Sequence, residues 1–229
     1  MTGLVRSDTG AAPEATMRRD HKRFNNRMND VRNRIAEWAA KHHADDLQRG
    51  MEHCLGPRPR DTPRVHSALG FALVAPPPGG ASLIERYIEA HPRASNRMER
   101  QVHAAWRTCR YQLLSVRSVR PGDGFVAEDV IRGDLLDIGE RAATNHLAED
   151  DWLLGFVLKV DGAHIMEGTA ELLAAAAIQP LFAVLSAAGP AAADTRGAAW
   201  GAIGAMHAAY AASPDGSPLG NDSLAGLGG

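Results

Sequence analysis

The chain is poor in cysteine, in aromatics and in long apolar runs. Only Cys54 and Cys109 occur in 229 residues, too few for a disulfide framework or a four-cysteine zinc site. No charged segment followed by an apolar run opens the sequence, so a reduced, cytoplasmic location is the default expectation. Aromatic side chains make up 5 % of the chain, so the core must come from Leu, Val, Ile and Ala on helices packed over a modest sheet. Two alanine-rich segments follow Leu173, but Pro180 interrupts the first and alanine is barely apolar. A membrane span needs about 20 apolar residues, so these read as a helix pair covering the sheet and membrane insertion is not expected. Lysine is scarce too, 3 against 22 arginines, a ratio we read as codon bias before any choice of phosphate ligands.

What the chain does have is charge, unevenly placed. Residues 1–120 carry 21 Lys and Arg against 12 acids, whereas residues 121–229 carry 4 against 15. The net charge of −2 conceals this split, which leaves two halves that attract each other or different partners.

Residues 111–173 alone read as β-structure. The runs YQLLSVRSVR, FVAEDVI, LLDIGE, WLLGFVLKV and AHIMEGTAELL are short and apolar, with glycine in the breaks between them. Asp161-Gly162 is the strongest turn signal, because a two-residue type I′ hairpin needs positive φ at both centres. Four or five short antiparallel strands are too few for a sandwich, and a small curled sheet or SH3-like barrel is the natural closure. Within it, LLGFVLKV is apolar on nearly both faces, as a strand covered on two sides would be.

Helical periodicity dominates elsewhere. Met17, His21, Phe24, Met28, Val31, Ile35 and Trp38 recur at spacings of three and four over residues 14–47. Such a seam buries one helix stripe against another helix, in the same chain or in a second copy. The opposite face carries Arg18, Arg19, Lys22, Arg23 and Arg27, which either grip a nucleic-acid or protein partner or dock on the acidic half. Ser82-Leu83-Ile84-Glu85 is a capping box opening a further helix. Another follows from Asn96, with Met98, Val102, Ala105, Trp106 and Cys109 on one face and Arg97, Arg100, Arg107 and Arg110 largely off it.

The expected organisation is α+β: a leader over 1–13, a basic helical arm over 14–55, and a Pro/Gly-rich extended connector over 56–80. An α+β domain over 81–212 follows, with its β module at 111–173 and alanine-rich helices closing it, and then a disordered tail over 213–229. Between Val65 and Val74 the connector is expected to anchor on the main domain.

Candidate chemistry is thin. His42, His43, Asp45, Asp46, Glu52, His53 and Cys54 crowd one segment without a repeated ligand spacing, and read as polar residues at a fraying helix end. Cys109 reads as a small core residue, and His103 has no Ser or Asp partner nearby in sequence. Glu128, Asp129, Asp134, Asp137, Glu140, Glu149, Asp150 and Asp151 crowd the turns. Turn chemistry explains them, since Asp caps local N–H groups. A metal-dependent hydrolase using Asp129, Asp134 and Asp150 is the alternative. No catalytic residue, metal ligand or cofactor is assigned, and the leading expectation is a non-catalytic binding or adaptor protein acting through the basic arm.

Two resemblances add to this. The helix ending in Cys109-Arg110 and then LLSVRSVRPGDGFVAEDVIRGDLLDIGERAATNHLAEDDWLLGFVLKVDGAHIMEG resemble an uncharacterised bacterial module often found in proteins that also carry a SEC-C zinc motif. The shared order is a strand, a Pro-Gly turn, a Glu-Asp pair leading into a Gly-Asp turn, and Asp-Asp before an apolar strand, over residues 83–168. The clustered cysteines of the zinc motif are missing, so that resemblance implies neither zinc nor catalytic residues. The tail LGNDSL is similar to the Leu-Gly-x-x-Ser-Leu signal by which cargo docks inside encapsulin shells. It implies targeting through Leu219, Gly220, Ser223 and Leu224, and encapsulated cargo as a further reading.

Overall fold

The computed structural model describes residues 12–56, 62–93, 96–160, 162–189 and 192–212. Seven helices and five strands follow in the order α1 (Ala12–His42), α2 (Ala44–Leu55), α3 (Thr62–Val74), α4 (Leu83–Ala90), α5 (Arg97–Thr108), β1 (Arg110–Arg120), β2 (Gly124–Asp129), β3 (Asp134–Ile138), β4 (Trp152–Val160), β5 (Ala163–Leu172), α6 (Ala175–Ala188) and α7 (Ala192–Ala212). The class is α+β, as the sequence indicates.

The strands close a barrel in the order β1-β2-β3-β5-β4. Four seams are antiparallel, but β3 meets β5 in parallel through Ile138 and His164. The expectation of a wholly antiparallel sheet is corrected here for a topological reason. Strand directions cannot alternate all the way round a ring with an odd number of strands, so one seam must be parallel. At the tip of the β4–β5 hairpin Gly162 adopts φ 89°, the left-handed backbone a two-residue turn requires; Asp161 lies outside the described residues.

Period-two alternation supplies two cores from one sheet. Leu114, Val116, Phe125, Ala127, Leu136, Ile138, Leu153, Val157, Met166 and Ala170 fill the barrel, and Ala143 and Leu147 join them. The opposite faces of β1 and β4 present Tyr111, Leu113, Leu154, Phe156 and Leu158 to the helices. LLGFVLKV is therefore buried on both sides, as its composition requires. Burial on that scale, at roughly 1.5–3 kcal/mol per large apolar side chain, is what holds helices and barrel as one body.

The N-terminal helices belong to this body. Phe24, Met28, Val31, Ile35 and Ala39 bury one stripe of α1 in the same core, so this part of the seam is packed within its own chain. Trp38 falls at the margin of that stripe. The chain breaks at His43 (φ −145°, ψ 40°), and α2 is a separate helix with Gly50, Cys54 and Leu55 buried, not a fraying end. Most of the described part of the expected extended connector over 56–80 is helical. Thr62–Val74 is helical, with Ala68, Phe71, Leu73 and Val74 buried, and the chain turns after it at Pro78-Gly79, where the Gly80 N–H donates to the Pro77 carbonyl at 2.9 Å. Proline misleads here because Pro63 stands in the first turn of α3, where a missing N–H breaks no helical bond.

The capping box forms as read. The Ser82 hydroxyl accepts from the Glu85 N–H, and the Ser82 N–H donates to Glu85 Oε2 at 2.8 Å. Burial opposes ionisation of Glu85, yet the Ser82 donors and the Arg196 guanidinium outweigh it and hold its carboxyl below the usual range. Helices α6 and α7 pair and cover β1, with α7 also reaching α2. Of the small residues there, Gly201 stands opposite Val184, where a Cβ would make ordinary contact at 3.4 Å, and Gly197 faces open space.

Candidate functional site

Arginine and buried carboxylate organise the helical layer. Periodicity places Phe24, Met28, Val31 and Ile35 on one stripe of α1, so Arg27, Arg32 and Arg34 flank it and reach the neighbouring elements. Arg34 Nη2 donates to Glu99 Oε1 at 2.5 Å, and Arg27 Nη2 lies 3.8 Å from Glu99 Oε2. Arg32 Nη1 lies 3.3 Å from Glu167 Oε1, and Trp106 Nε1 donates to Glu167 Oε2 at 2.9 Å. Both carboxylates are almost fully buried, and a buried charge persists only when it is paired and hydrogen-bonded. The charge split is thus partly spent inside the molecule, since Glu167 of the acidic half is neutralised by Arg32 of the basic half.

This places one of the five basic candidates. Arg27 lies 3.8 Å from Glu99 and 3.9 Å from Asp30, so its charge is shared with those two acids. Arg18, Arg19, Lys22 and Arg23 stand on helical backbone in α1, and their side chains lie outside the described set. The targeting residues Leu219, Gly220, Ser223 and Leu224 also lie outside the described residues.

The arginines off the apolar stripe of α5 form a second basic surface. Glu99, Val102, His103, Ala105 and Trp106 face inward. The five exposed positions are Arg97, Arg100, Ala104, Arg107 and Thr108, with no acid among them. Exposed Arg93 precedes the helix. Beside it stands a ring cluster: the exposed His91 stacks on Tyr87 at 4.3 Å, and Trp38 meets Tyr87 edge-on at 5.5 Å and His91 at 6.1 Å. His42 and His43 approach the same indole at 5.8 and 4.8 Å. His43 and its neighbours are thus a packed junction. Asp46 is bound by Arg86 at 2.7 Å, and that hydrogen bond holds its carboxyl below the usual range.

His53 clasps two helices. Its Nε2 lies 2.8 Å from the Trp200 carbonyl, and His207 Nε2 lies 3.2 Å from the carbonyls of His53 and Cys54. Carbonyls only accept, so both imidazoles donate from Nε2, and His207 satisfies carbonyls left open at the end of α2.

The turn carboxylates are not assembled. Asp129 is buried, accepting from Gln112 Nε2 at 2.6 Å and from the Ile131 N–H at 3.1 Å. Asp134, opposite it in register, is exposed, and its hydrogen bond from Arg132 holds it below the usual carboxylate range. Asp150 is an exposed turn residue at φ 69°. Glu128 and Asp137 pair with Arg117 and Arg120 on the open face of the barrel. Among the described residues, no group of three or more His, Cys, Asp or Glu could hold a metal ion.

Cys109 is the buried C-cap of α5, and burial pushes its thiol up to about 12. Burial lowers His103, against Glu99, and its Nε2 has no hydrogen-bond partner among the described residues. Two cavities among the described residues are water-sized. One of about 20 Å³ is lined by Cys54, Ser67, Tyr111, Glu167 and Glu171 among others, and one of about 10 Å³ lies beside Arg86 and Trp200.

No protein-family model matches this chain, and no curated protein or solved structure does so either.

Proposed function

We propose that the protein is a binding or adaptor protein that engages an anionic partner, nucleic acid or an acidic protein surface, through the basic face of α1. One observation carries this reading. Arg27, Arg32 and Arg34 are taken up by ion pairs, while α1 continues as helix back to Ala12 with Arg18, Arg19, Lys22 and Arg23 on those preceding turns. Internal pairing thus accounts for the inner arginines, and the outer four, close together in sequence on the same helix, are the candidates for an external partner. Helix rise is about 1.5 Å per residue, so those four charges fall within about 8 Å along one rod. Such clustering favours polyanions through counterion release.

The test is a combined Arg18→Gln, Arg19→Gln, Lys22→Gln and Arg23→Gln variant of the full chain, compared with the parent in pull-downs and in nucleic-acid titrations. Loss of the captured partner by a variant that melts like the parent supports the reading. Retention of every partner removes α1 from it.

A further inference from the structure

We infer that the surface formed by α5 and the end of α4 is a binding site for single-stranded nucleic acid, with the arginines on the backbone and the His91 ring as a base platform. The inference rests on the reading of the protein as an anion binder and adds a second surface and a partner class to it.

Charge is the first argument. Arg97, Arg100 and Arg107 share the outer face of α5, spanning about 15 Å at helical rise. That face bears no acid, and Arg93 extends it. The one acid of the helix's first turn, Glu99, points inward to Arg34 and Arg27. None of the three outer arginines lies within ion-pair distance of a carboxylate among the described residues, although exposed arginines elsewhere, such as Arg117, Arg120 and Arg132, are paired. A row of unpaired guanidiniums longer than one phosphate spacing fits a polyanion better than a single anion.

Ring geometry is the second argument. His91 is exposed and lies flat on Tyr87, with an interplanar angle of 25°, while Trp38 closes the cluster from its edge. The imidazole is therefore held as a rigid plate by rings beneath it, two residues before Arg93. Proteins that hold single strands combine a basic track with ring faces on which bases stack. A duplex hides its base faces and would use only the arginines.

The experiment is fluorescence anisotropy of a labelled single strand and of the matching duplex, titrated with the full chain over a range of salt. The variants are Arg97→Gln/Arg100→Gln/Arg107→Gln, His91→Ala and the α1 variant described above. We expect the parent to prefer the single strand. The α5 variant should lose most of the binding and show a log–log salt slope shallower by about 2, the loss of three phosphate contacts. His91→Ala should weaken the single strand by about fivefold or more with no effect on the duplex. If the α5 variant binds like the parent while the α1 variant does not, this inference falls and the α1 reading stands. If the α5 variant alone loses binding, the reverse holds. Equal affinity for single strand and duplex with a silent His91→Ala overturns the base platform. Binding of polyglutamate with no binding of either nucleic acid overturns the partner class.

Discussion

Trp106 and Glu167 are joined by a 2.9 Å hydrogen bond from the indole Nε1 to Oε2, which ties α5 to β5 across 61 residues of chain. Arg32 of α1 shares that carboxylate. Three elements thus converge on one buried negative charge beneath the helical layer. Removing it should be severe, because Glu167→Ala leaves a guanidinium and an indole N–H without their acceptor. We expect a loss of about 3–5 kcal/mol in urea unfolding, with Glu167→Gln milder because its amide oxygen still accepts from Trp106. Equal, small losses for both variants would show that the carboxylate is not structural.

Gly50 makes a second prediction. A Cβ there would stand 2.7 Å from the Ala72 Cβ where α2 crosses α3. Gly50→Ala should destabilise by about 1–3 kcal/mol through overpacking. Gly204 of α7 is exposed with nothing within 4 Å, and Gly204→Ala should raise stability by up to about 1 kcal/mol from helix propensity alone. Thermal melts of the two variants should therefore shift in opposite directions.

In a Glu140→Gln background, stability should fall on acidification from about pH 7 to about pH 5. Burial lowers His103, with Glu99 opposing and Arg107 and Arg34 reinforcing, while Tyr87 of α4 packs against it. Burial likewise lowers His164, helped by Lys159 and opposed by Asp137 and Asp134. For both, the unfolded chain takes up a proton near 6.5 that the folded chain refuses, so their contribution is complete above that pH and lost below it. Glu140 acts in the opposite sense. Burial raises it, so its contribution is present at low pH and lost as pH rises above 4.5 through its raised value. A Glu140→Gln background removes the opposing contribution, so melting temperature across that range should there report the loss from the two histidines. His103→Leu should flatten the slope.

Both thiols should be silent in the native state. Cys54 and Cys109 are buried, and the thiolate of Cys109 is suppressed at neutral pH by a value near 12. A thiol-reactive chromophore should report no fast thiol in buffer and two in denaturant. A fast-reacting native thiol would contradict the placement of one of them.

Local chemistry was readable from the sequence, and long-range chemistry was not. The Ser82–Glu85 box forms because both partners lie within one turn, and WLLGFVLKV shows its two-sided burial in its own composition. The α3 helix escaped because Pro63 and the later proline run suggest extension, and Pro63 has that meaning only outside a first turn. The parallel seam at Ile138 and His164 follows from a strand count that spacing left open between four and five. Glu99 and Glu167 carry no local mark of burial, since their partners Arg34 and Arg32 lie 65 and 135 residues away. The outer face of α5 was legible as arginines off the apolar stripe, but their freedom from acids is a property of the packed molecule.

The most direct test of the basic surface is anisotropy of a labelled single-stranded nucleic acid with the full chain, at low and at moderate salt. The account predicts binding at low salt that weakens steeply as salt rises, with a slope that falls when the α1 or α5 arginines are replaced. Absence of binding at low salt, or binding that ignores salt, would contradict it.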